Sequence, residues 1–315
     1  MADSSTRLTL WGIEVFLAVA EEGAVSAAAR RLGASPSGVS QQISGLETAL
    51  GAVLMDRSTR PVTLTPAGQM FRRRAQAILN EAAQARAELA LADLSRLTDF
   101  RLGVIEDLDA EVTPRLLAGM AEELKGCQFL LETGASHRLF DALDTRALDV
   151  IVAADMGAAA DWMEVHPLLE EPFVAAVPKG ASLADPEALP LIHYTERHHM
   201  GRQIAAHLAR QNLRLAHRFE LDSYHAIMAM VAEGAGWTIL TPMGALHAHR
   251  FRERTELLPL PFAPLSRTIS LSARRGVLGD MPARTAKRLR ALLAEHVVAP
   301  AVARLPWLKE SLRLL

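Results

Sequence analysis

The chain has 315 residues, half of them hydrophobic, with a formal net charge of −2 and one cysteine. This length and composition predict a globular protein of about two domains and exclude a disordered chain. The near-neutral charge excludes a globally basic nucleic-acid coat, though not a local basic patch.

The N-terminal stretch MADSSTRLTLWGIEVFLAVAEE has no basic region, and Glu14 interrupts its apolar run, so it does not resemble a signal peptide. No uncharged apolar run approaches the roughly 18 residues that a membrane span requires. The lone Cys127 excludes an intrachain disulfide and fits a reducing compartment. We therefore expect a soluble, cytoplasmic protein with no membrane partner.

The first 65 residues are patterned as three helices and a hairpin. Apolar residues from Trp11 to Val19 predict a first helix, which Gly23 ends. Ser26 is expected to cap a short second helix that ends at Gly33.

The third helix begins with Ser35 as its cap and Pro36 at its first position. Apolar residues at spacings of four, three and four form one predicted buried stripe: Val39, Ile43, Leu46 and Leu50. The opposite face carries short polar side chains and no charge: Ser37, Gln41, Ser44 and Thr48. The following segment, VLMDRSTRPVTLT, predicts two short strands around a turn with Arg57 and Arg60. This order of elements is the winged helix-turn-helix pattern.

A long helix is predicted to begin at Thr65-Pro66, with no Gly or Pro from Gln69 to Phe100. Small and apolar residues recur at spacings of four and three, a heptad pattern. If helical from Pro66 to Asp93, the segment would be roughly 42 Å long. We expect it to pair two copies of the chain, although a helix packed on its own domain has the same pattern. The predicted dimerisation positions are Phe71, Ala75, Ile78, Ala82, Ala85 and Leu89, with Ala92 continuing the pattern.

From about residue 99 onwards strands and helices alternate, which indicates an α/β fold. These 200 or so residues are enough for two lobes. The expected domains are a winged helix-turn-helix over 1–65, a linker helix over 66–97 and an α/β domain over 98–298. Within the last, one lobe is expected to combine 98–170 with 273–298, and the other to comprise 171–272. The amphipathic tail over 299–315 is expected to pack on the last lobe or on another subunit.

Six short motifs in the first 68 residues stand in the order and spacing of one family: FLAVAEEG, AAARRL, SPSGVSQQI, LETALG, LMDR and LTPAG. The chain thus resembles LysR-type transcriptional regulators over nearly its whole length, more loosely after residue 100. The resemblance implies a homodimer or homotetramer that binds double-stranded promoter DNA and affects RNA polymerase. It also implies two lobes similar to periplasmic binding proteins, with a small-molecule effector between them.

Three places depart from the family's usual sequence. Gly23 is followed by Ala24-Val25 where Ser-Phe is usual, and Leu54-Met55 replaces Leu-Phe before the wing arginine. Pro36-Ser37 replaces Gln-Pro after the cap serine. This last change alters which side chain meets the major groove, so the operator preference of relatives is not transferred.

The polar face of the third helix is the predicted base-reading surface. A glutamine such as Gln41 makes bidentate contacts with adenine, and a serine such as Ser37 pairs with any base. Arginines supply phosphate contacts. Because residues 1–65 hold five arginines against six acids, the charge alone would also fit a helical domain without DNA. The predicted DNA-binding residues are Ser26, Arg30, Arg31, Ser35, Pro36, Ser37, Gly38, Ser40, Gln41, Gln42, Arg57, Arg60 and Thr65.

An effector is expected at the carboxyl ends of strands in the α/β lobes. The turns there give the predicted residues Glu106, Asp107, Gly134, Ala135, Ser136, Thr195, Arg197, His199, Asp222 and Thr241. The family often has Ser or Thr four positions after the strand glycine, where it holds a carboxylate effector. Gly103 matches that glycine, which puts Asp107 at the position, and an acidic ligand would be repelled. The hypothesis is an amine-bearing or zwitterionic effector; alternatively, Glu106 and Asp107 cap a helix and face water.

No metal site, cofactor or enzymatic function is expected. Most of the eleven histidines lie between His166 and His249, but not at strong metal-ligand spacings. GxSxG, a Gly-rich phosphate loop and a motif-embedded Ser/His/Asp set are all lacking. The alternative function is a ligand-independent DNA-binding protein, since a free solute-binding protein would not need residues 1–95.

Overall fold

The computed structural model describes residues 7–90 and 97–315, apart from the side chains of residues 83, 84 and 86–90. Two compact units are present: an N-terminal unit that ends at Leu89 and also includes Thr145–Ala147, and a C-terminal unit that comprises Ala90–Asp144 and Leu148–Leu315. No helix in the described part of the chain is long and apolar enough to cross a membrane.

The N-terminal unit is a winged helix-turn-helix, as predicted. Its elements are α1 (Leu10–Glu22), α2 (Val25–Arg31), α3 (Pro36–Leu50), β1 (Met55–Asp56), β2 (Thr63–Leu64) and α4 (Pro66–Ala90). Gly23 ends α1 in the left-handed conformation at φ 63°, and the Ser35 hydroxyl accepts a hydrogen bond from the Gly38 amide at 3.1 Å. The expected cap at Ser26 is wrong. Because α2 begins at Val25, Ser26 lies inside the helix and is exposed.

The core of this unit is formed where α3 packs against α1. Val39, Ile43 and Leu46 are buried, which confirms three positions of the predicted stripe. Leu50 is 38% exposed, so the stripe ends one turn early. The physical reason is that Leu50 is the last residue of α3, where the chain turns away at Gly51.

The first part of the predicted dimerisation seam packs on the N-terminal unit itself, and the prediction is wrong for the fully buried Ala75. Phe71 packs edge-on against Phe16 of α1 with ring centroids 5.2 Å apart, and Ala75 is fully buried in the same core. Ile78 is half-buried against this core. Further along, Ala82 is half-buried and Ala85 is exposed. The side chain of Leu89 and the whole of Ala92 lie outside the described residues.

The first lobe of the C-terminal unit is built on a six-stranded sheet. Its strands are β3 (Asp99–Val104), β4 (Gln128–Thr133), β5 (Val150–Ala154), β6 (Met163–Pro172), β12 (Ser266–Arg274) and β13 (Arg313–Leu314). They lie in the order β13-β6-β12-β5-β3-β4, with β3 parallel to β4 and β5 and the other pairs antiparallel. Its helices are α5 (Thr113–Glu123), α6 (Ser136–Asp144), α10 (Met281–Leu293) and α11 (Ala299–Arg304).

The second lobe holds two small sheets. Its strands are β7 (Val174–Pro178), β8 (Leu191–Tyr194), β9 (His217–Leu221), β10 (Thr238–Leu240) and β11 (Thr255–Leu258), and its helices are α7 (His199–Arg210), α8 (Tyr224–Ala232) and α9 (Pro242–His247). One sheet has the order β10-β7-β11, and β8 pairs with β9 in parallel. Each lobe has its own buried hydrophobic core.

Strands β6 and β12 connect the two lobes and lie side by side in the first sheet. The chain therefore enters the second lobe after Pro172 and leaves it before Ser266. The expected return at residue 273 is too late because all of β12 pairs within the first sheet. The tail packs on the first lobe: β13 pairs with β6, and Leu308 and Leu312 are buried in that core.

Candidate functional site

The polar face of α3, formed by Ser37, Gln41, Ser44 and Thr48, is exposed along its whole length, as predicted. The Ser37 and Ser35 hydroxyl oxygens lie 3.2 Å apart at the start of the helix. Ser40 and Gln42 are half-buried, so they are less available than predicted. Gln41 and Gln42 share a depression with Arg7, a cation that the sequence interpretation did not assign to this surface.

Two of the four predicted phosphate-binding arginines form ion pairs with acidic residues, and the other two do not within residues 7–90. Arg31 is ion-paired with Glu21 at 2.6 Å, and Arg57 with Glu47 at 2.7 Å. Arg30 and Arg60 are exposed and form no ion pair within residues 7–90. Arg30 and Arg60 can therefore bind a phosphate directly. Arg31 and Arg57 must first break their ion pairs.

Glu47 fixes the wing against α3, a role that the sequence did not reveal. One carboxylate oxygen accepts hydrogen bonds from the amides of Leu54 and Met55 at 2.8 and 3.1 Å, and the other binds Arg57. The Thr65 hydroxyl donates to the Val53 carbonyl at 2.7 Å and accepts from the Gly68 amide at 3.0 Å. Because its hydroxyl is engaged in this way, Thr65 caps α4 rather than presenting a group to DNA.

A small cavity lies between the two lobes, and we call it the interlobe cleft. Its volume is about 50 Å³, and its lining residues are Ile105, Glu106, Asp107, Gly134, Ala135, Ser136, Tyr194, His198, His199, Met200, Tyr224 and Arg267. Six of the ten predicted effector residues are among them. They stand at the ends of β3 and β4 and at the start of α7. A side chain at Gly201 would collide with the Thr195 carbonyl oxygen, so this glycine lets α7 approach closely.

Four predicted effector residues do not line the cleft. The Thr195 hydroxyl donates to Glu220 at 2.5 Å and accepts from the Arg197 amide, so it holds the loop before α7. Thr241 is fully buried and caps α9 by accepting from the Gly244 amide at 3.3 Å. Asp222 is exposed, and its charge acts on Tyr194 and His198. These four residues therefore lie outside the lining of the cleft in this arrangement.

A buried guanidinium occupies the base of the cleft. Arg267 on β12 lies 2.5 Å from Glu171 on β6 and 3.3 Å from Asp107, and all three side chains are at most 4% exposed. Arg267 also donates to the Thr241 hydroxyl at 3.2 Å, and the Met243 amide donates to Glu171 at 3.3 Å. We call Arg267, Glu171 and Asp107 the Arg267 cluster; it connects both lobes and the two strands between them.

The cluster holds two carboxylates and one cation, and burial raises the pKa of Glu171 despite the attraction of Arg267. Asp107 does not face water, so the alternative that both acids are solvated caps is wrong for this residue. Glu106 lies on a short 3₁₀ turn rather than on a strand and is exposed on one side. Partial burial and the charge of Asp107 raise the pKa of Glu106.

Two buried atoms in the cleft lack a hydrogen-bond partner among the described residues: Asp107 Oδ1 and His199 Nε2. Asp107 Oδ1 faces Arg267 at ion-pair distance but without hydrogen-bond geometry. Burial lowers the pKa of His199, which also bonds to the backbone of Asp155. A neutral imidazole has one N–H donor and one acceptor nitrogen, so His199 Nε2 accepts in one tautomer and donates in the other. Asp107 Oδ1 therefore lacks a hydrogen-bond donor, and His199 Nε2 lacks a partner of either kind among the described residues.

Two tyrosine rings stand beside these two atoms. Tyr194 and Tyr224 have ring centroids 5.3 Å apart, and the Tyr224 hydroxyl donates to the Met200 sulfur at 3.3 Å. Burial, and then the charges of Asp107 and Glu106, raise the pKa of Tyr194. Burial lowers the pKa of His198, so neither histidine of the lining adds a charge near neutrality. Aromatic faces near carboxylates favour a cation.

Cys127 lies at the turn before β4 and is not part of the cleft lining. Burial raises the pKa of its thiol, which disfavours the reactive thiolate. Across residues 7–90 and 97–315, no group of three His, Cys, Asp or Glu side chains is arranged to hold a metal ion.

Comparisons with known proteins agree with this architecture. A family model described as LysR substrate binding domain matches residues 95–298, and one described as bacterial regulatory helix-turn-helix protein, lysR family, matches residues 10–69. The chain is 37% identical over 190 residues to a probable hydrogen peroxide-inducible genes activator of Mycobacterium xenopi, covering 60% of this chain and 100% of that sequence. Identity to its Mycobacterium avium counterpart is also 37%, but only 61% of that protein is covered.

Solved structures share the complete fold. A full-length cysteine-to-aspartate variant of OxyR from Pseudomonas aeruginosa matches with a TM-score of 0.66 at 24% identity, covering 92% of this chain and 95% of that one. CbnR, named as a LysR family transcriptional regulator, matches with a TM-score of 0.65 at 20% identity, covering 90% and 99%. The predicted winged helix-turn-helix, linker helix and two-lobed α/β domain are confirmed.

Proposed function

The chain belongs to the LysR family of bacterial DNA-binding transcriptional regulators, and from that premise we propose that a small cationic effector in the interlobe cleft modulates its binding to promoter DNA. The relatives are named as regulators, which confirms the expectation that the chain is not an enzyme. Homo-oligomerisation and an effect on RNA polymerase remain part of this proposal.

DNA recognition is assigned to the exposed α3 face, with Ser37 and Gln41 reading bases and exposed arginines binding phosphates. The support is geometric, because a helix fits the major groove and short polar side chains at its start reach base edges. Arg30 and Arg60 need no rearrangement to bind phosphate, since neither is ion-paired within residues 7–90. Glu47 keeps the wing at a fixed distance from the helix.

The observation that carries the effector proposal is the pair of buried cleft atoms without a hydrogen-bond partner among the described residues, the acceptor Asp107 Oδ1 and the ring nitrogen His199 Nε2. A buried acceptor without a donor is unfavourable by about 1–3 kcal/mol, which a bound donor removes. An ammonium group supplies several N–H donors, and the faces of Tyr194 and Tyr224 attract its charge. A carboxylate would offer neither of these and would meet the charges of Glu106 and Asp107.

The size of the cleft limits the effector further. A volume of about 50 Å³ admits a few water molecules or one small polar group, far below the roughly 300–1,000 Å³ of sites for drug-sized ligands. In this arrangement of the lobes the cleft therefore holds no more than such a small group. A larger amine requires the lobes to separate, which gives the effector a way to favour one lobe arrangement over another.

The test is calorimetric titration of the full-length chain with choline, ethanolamine and succinate, followed by DNA-binding measurements with each compound. The neutral isostere 3,3-dimethylbutan-1-ol is the matched control for choline. We expect an amine to bind, and D107N to weaken it about tenfold by removing a charge-assisted contact. Tight binding of succinate that is unchanged in D107N would contradict the proposal.

A second candidate function is a response to hydrogen peroxide, which the names of the Mycobacterium relatives favour. Cys127 is the only thiol, and its raised pKa and position outside the cleft oppose it. Peroxide treatment of the wild-type protein and of C127S, followed by DNA-binding measurements, separates the two functions. A reversible change that is lost in C127S would support this second function.

A further inference from the structure

A second, apolar cavity of about 180 Å³ lies in the C-terminal unit, between the second lobe and the C-terminal helices. It shares no lining residue with the interlobe cleft. Its apolar walls include Met228, Leu246 and Leu257 on one side and Val297, Ala301 and Leu308 on the other. An apolar cavity of roughly 150 Å³ is known to stay dry and to bind benzene, so this one has room for a ring or a short alkyl chain.

The mouth of this cavity is positively charged. Arg252 and Arg304 are exposed and both belong to its lining. Arg304 donates one N–H to the Arg252 carbonyl at 3.2 Å, which holds its guanidinium at the rim. Arg252 has a weak, exposed ion pair with Glu253 at 3.3 Å, while Arg304 has no acidic partner among the described residues. Arg304 therefore keeps N–H groups for an outside acceptor.

We propose that this cavity is a second ligand site for a small amphipathic carboxylate. The ring or alkyl chain enters the apolar space, where burial removes it from water. The carboxylate stays at the mouth and accepts hydrogen bonds from Arg304, a geometry that the planar guanidinium favours. This site is separate in space from the interlobe cleft, with which it shares no lining residue.

The helix that borders the cavity is locally widened. Between α10 and α11, residues Ala294–Val298 form a π-helical turn, and Val297 of this turn lines the cavity. Single π-helical turns are rare and occur frequently at functional sites, because they displace the side chains of a helix from regular spacing. The widened turn lies where an occupant would contact the C-terminal segment.

Helix α9 connects the cavity to the Arg267 cluster. At its start, the Thr241 hydroxyl accepts from Arg267 at 3.2 Å and the Met243 amide donates to Glu171 at 3.3 Å. One turn later, Ala245 and Leu246 line the cavity. A ligand that shifts α9 therefore acts on the same buried charges as an effector in the cleft. By linkage, each ligand changes the affinity for the other by the same factor.

The test uses benzoate as the probe and benzyl alcohol as its neutral control, titrated into the full-length chain by calorimetry. A301F fills the cavity, and A303F places the same side chain at an exposed position of the same helix. We expect benzoate to bind wild type and A303F equally and to bind A301F at least about tenfold more weakly. Arg304 lies at the surface, so R304Q should lower the affinity for benzoate about tenfold and leave DNA binding unchanged.

D107N separates the two sites, because Asp107 does not line this cavity, so the variant should still bind benzoate while it weakens an amine in the cleft. Three results would overturn the proposal: benzoate fails to bind wild type, benzyl alcohol binds as tightly as benzoate, or A301F binds benzoate like wild type. If A301F instead lowers the mass of the assembly by light scattering and no benzoate binds, a second copy of the chain covers the cavity and the ligand site is wrong.

Discussion

The α3 face and the Arg267 cluster use polar side chains in opposite ways. On α3, Ser37, Gln41, Ser44 and Thr48 are exposed and carry no charge. In the cluster, Arg267, Glu171 and Asp107 are buried and paired, and the distances between them are 2.5 and 3.3 Å. The side chains that are expected to bind DNA are exposed to solvent, whereas the side chains that connect the two lobes are buried.

Because of this contrast, we expect the two regions to contribute differently to the free energy of unfolding. Truncating an exposed serine or glutamine leaves no buried group unpaired, so the fold is little affected. Removing one partner of a buried ion pair leaves an uncompensated charge, which is strongly destabilising. Substitutions on the α3 face are therefore expected to change DNA binding, and substitutions in the Arg267 cluster are expected to change the stability of the fold.

The largest effect is expected at the cluster. R267L should lower the free energy of unfolding by about 3–5 kcal/mol, because it leaves Glu171 and Asp107 buried without their cation. Urea denaturation of the full-length chain measures this. R284L is the matched control, since Arg284 is exposed and its ion pair among the described residues, with Asp280, lies on the surface. Equal losses in the two variants would contradict the contrast.

The next effect concerns the two ends of the predicted seam on α4. F71A should lower the stability of the N-terminal unit by roughly 2 kcal/mol, because Phe71 packs on Phe16 in the same chain. A85E should leave that stability unchanged and weaken self-association, since Ala85 is exposed. Denaturation and light scattering measure the two effects, and the reverse pattern would show that the seam pairs copies through Phe71.

A smaller, pH-dependent effect is expected at Glu171. Because burial raises its pKa, the folded state holds the proton to a higher pH than the unfolded state does. The associated stability is present below the unfolded value of about 4.3 and is lost as pH rises through the folded pKa. E171Q should therefore gain stability over wild type as pH increases from 5 to 8. A difference between the two proteins that is constant with pH would show that Glu171 does not titrate between pH 5 and 8 and would contradict this prediction.

The smallest effect is expected at the arginines of α2. R30Q should reduce the slope of log affinity against log salt by about 1 on a non-specific DNA duplex, because one phosphate contact is lost. R31Q should reduce it less, since Arg31 is already paired with Glu21 and Glu22. Fluorescence anisotropy at several salt concentrations measures both slopes. A larger loss in R31Q would reverse the assignment of free and engaged arginines.

The same contrast separates what the sequence predicted from what it did not. The α3 face follows from helical periodicity within fifteen residues, and local signals also placed the caps at Ser35 and Thr65. Arg267 and Glu171 are 96 residues apart, and their pairing depends on two strands that meet only in the folded sheet. The cover of Phe71 by Phe16 is tertiary in the same way. Helical periodicity predicts which residues share a face, but not which residues from elsewhere in the chain pack against that face.

The most direct test of the account is selection of bound sequences from a random duplex pool by the full-length chain, with wild type and S37A compared. We predict an enriched two-fold symmetric motif, because an oligomer places equal α3 helices on two half-sites. S37A should relax the preference at one position in each half-site, by about 1–3 kcal/mol of discrimination. Failure to enrich any motif, or an identical motif in S37A, would contradict the assignment of base reading to the α3 face.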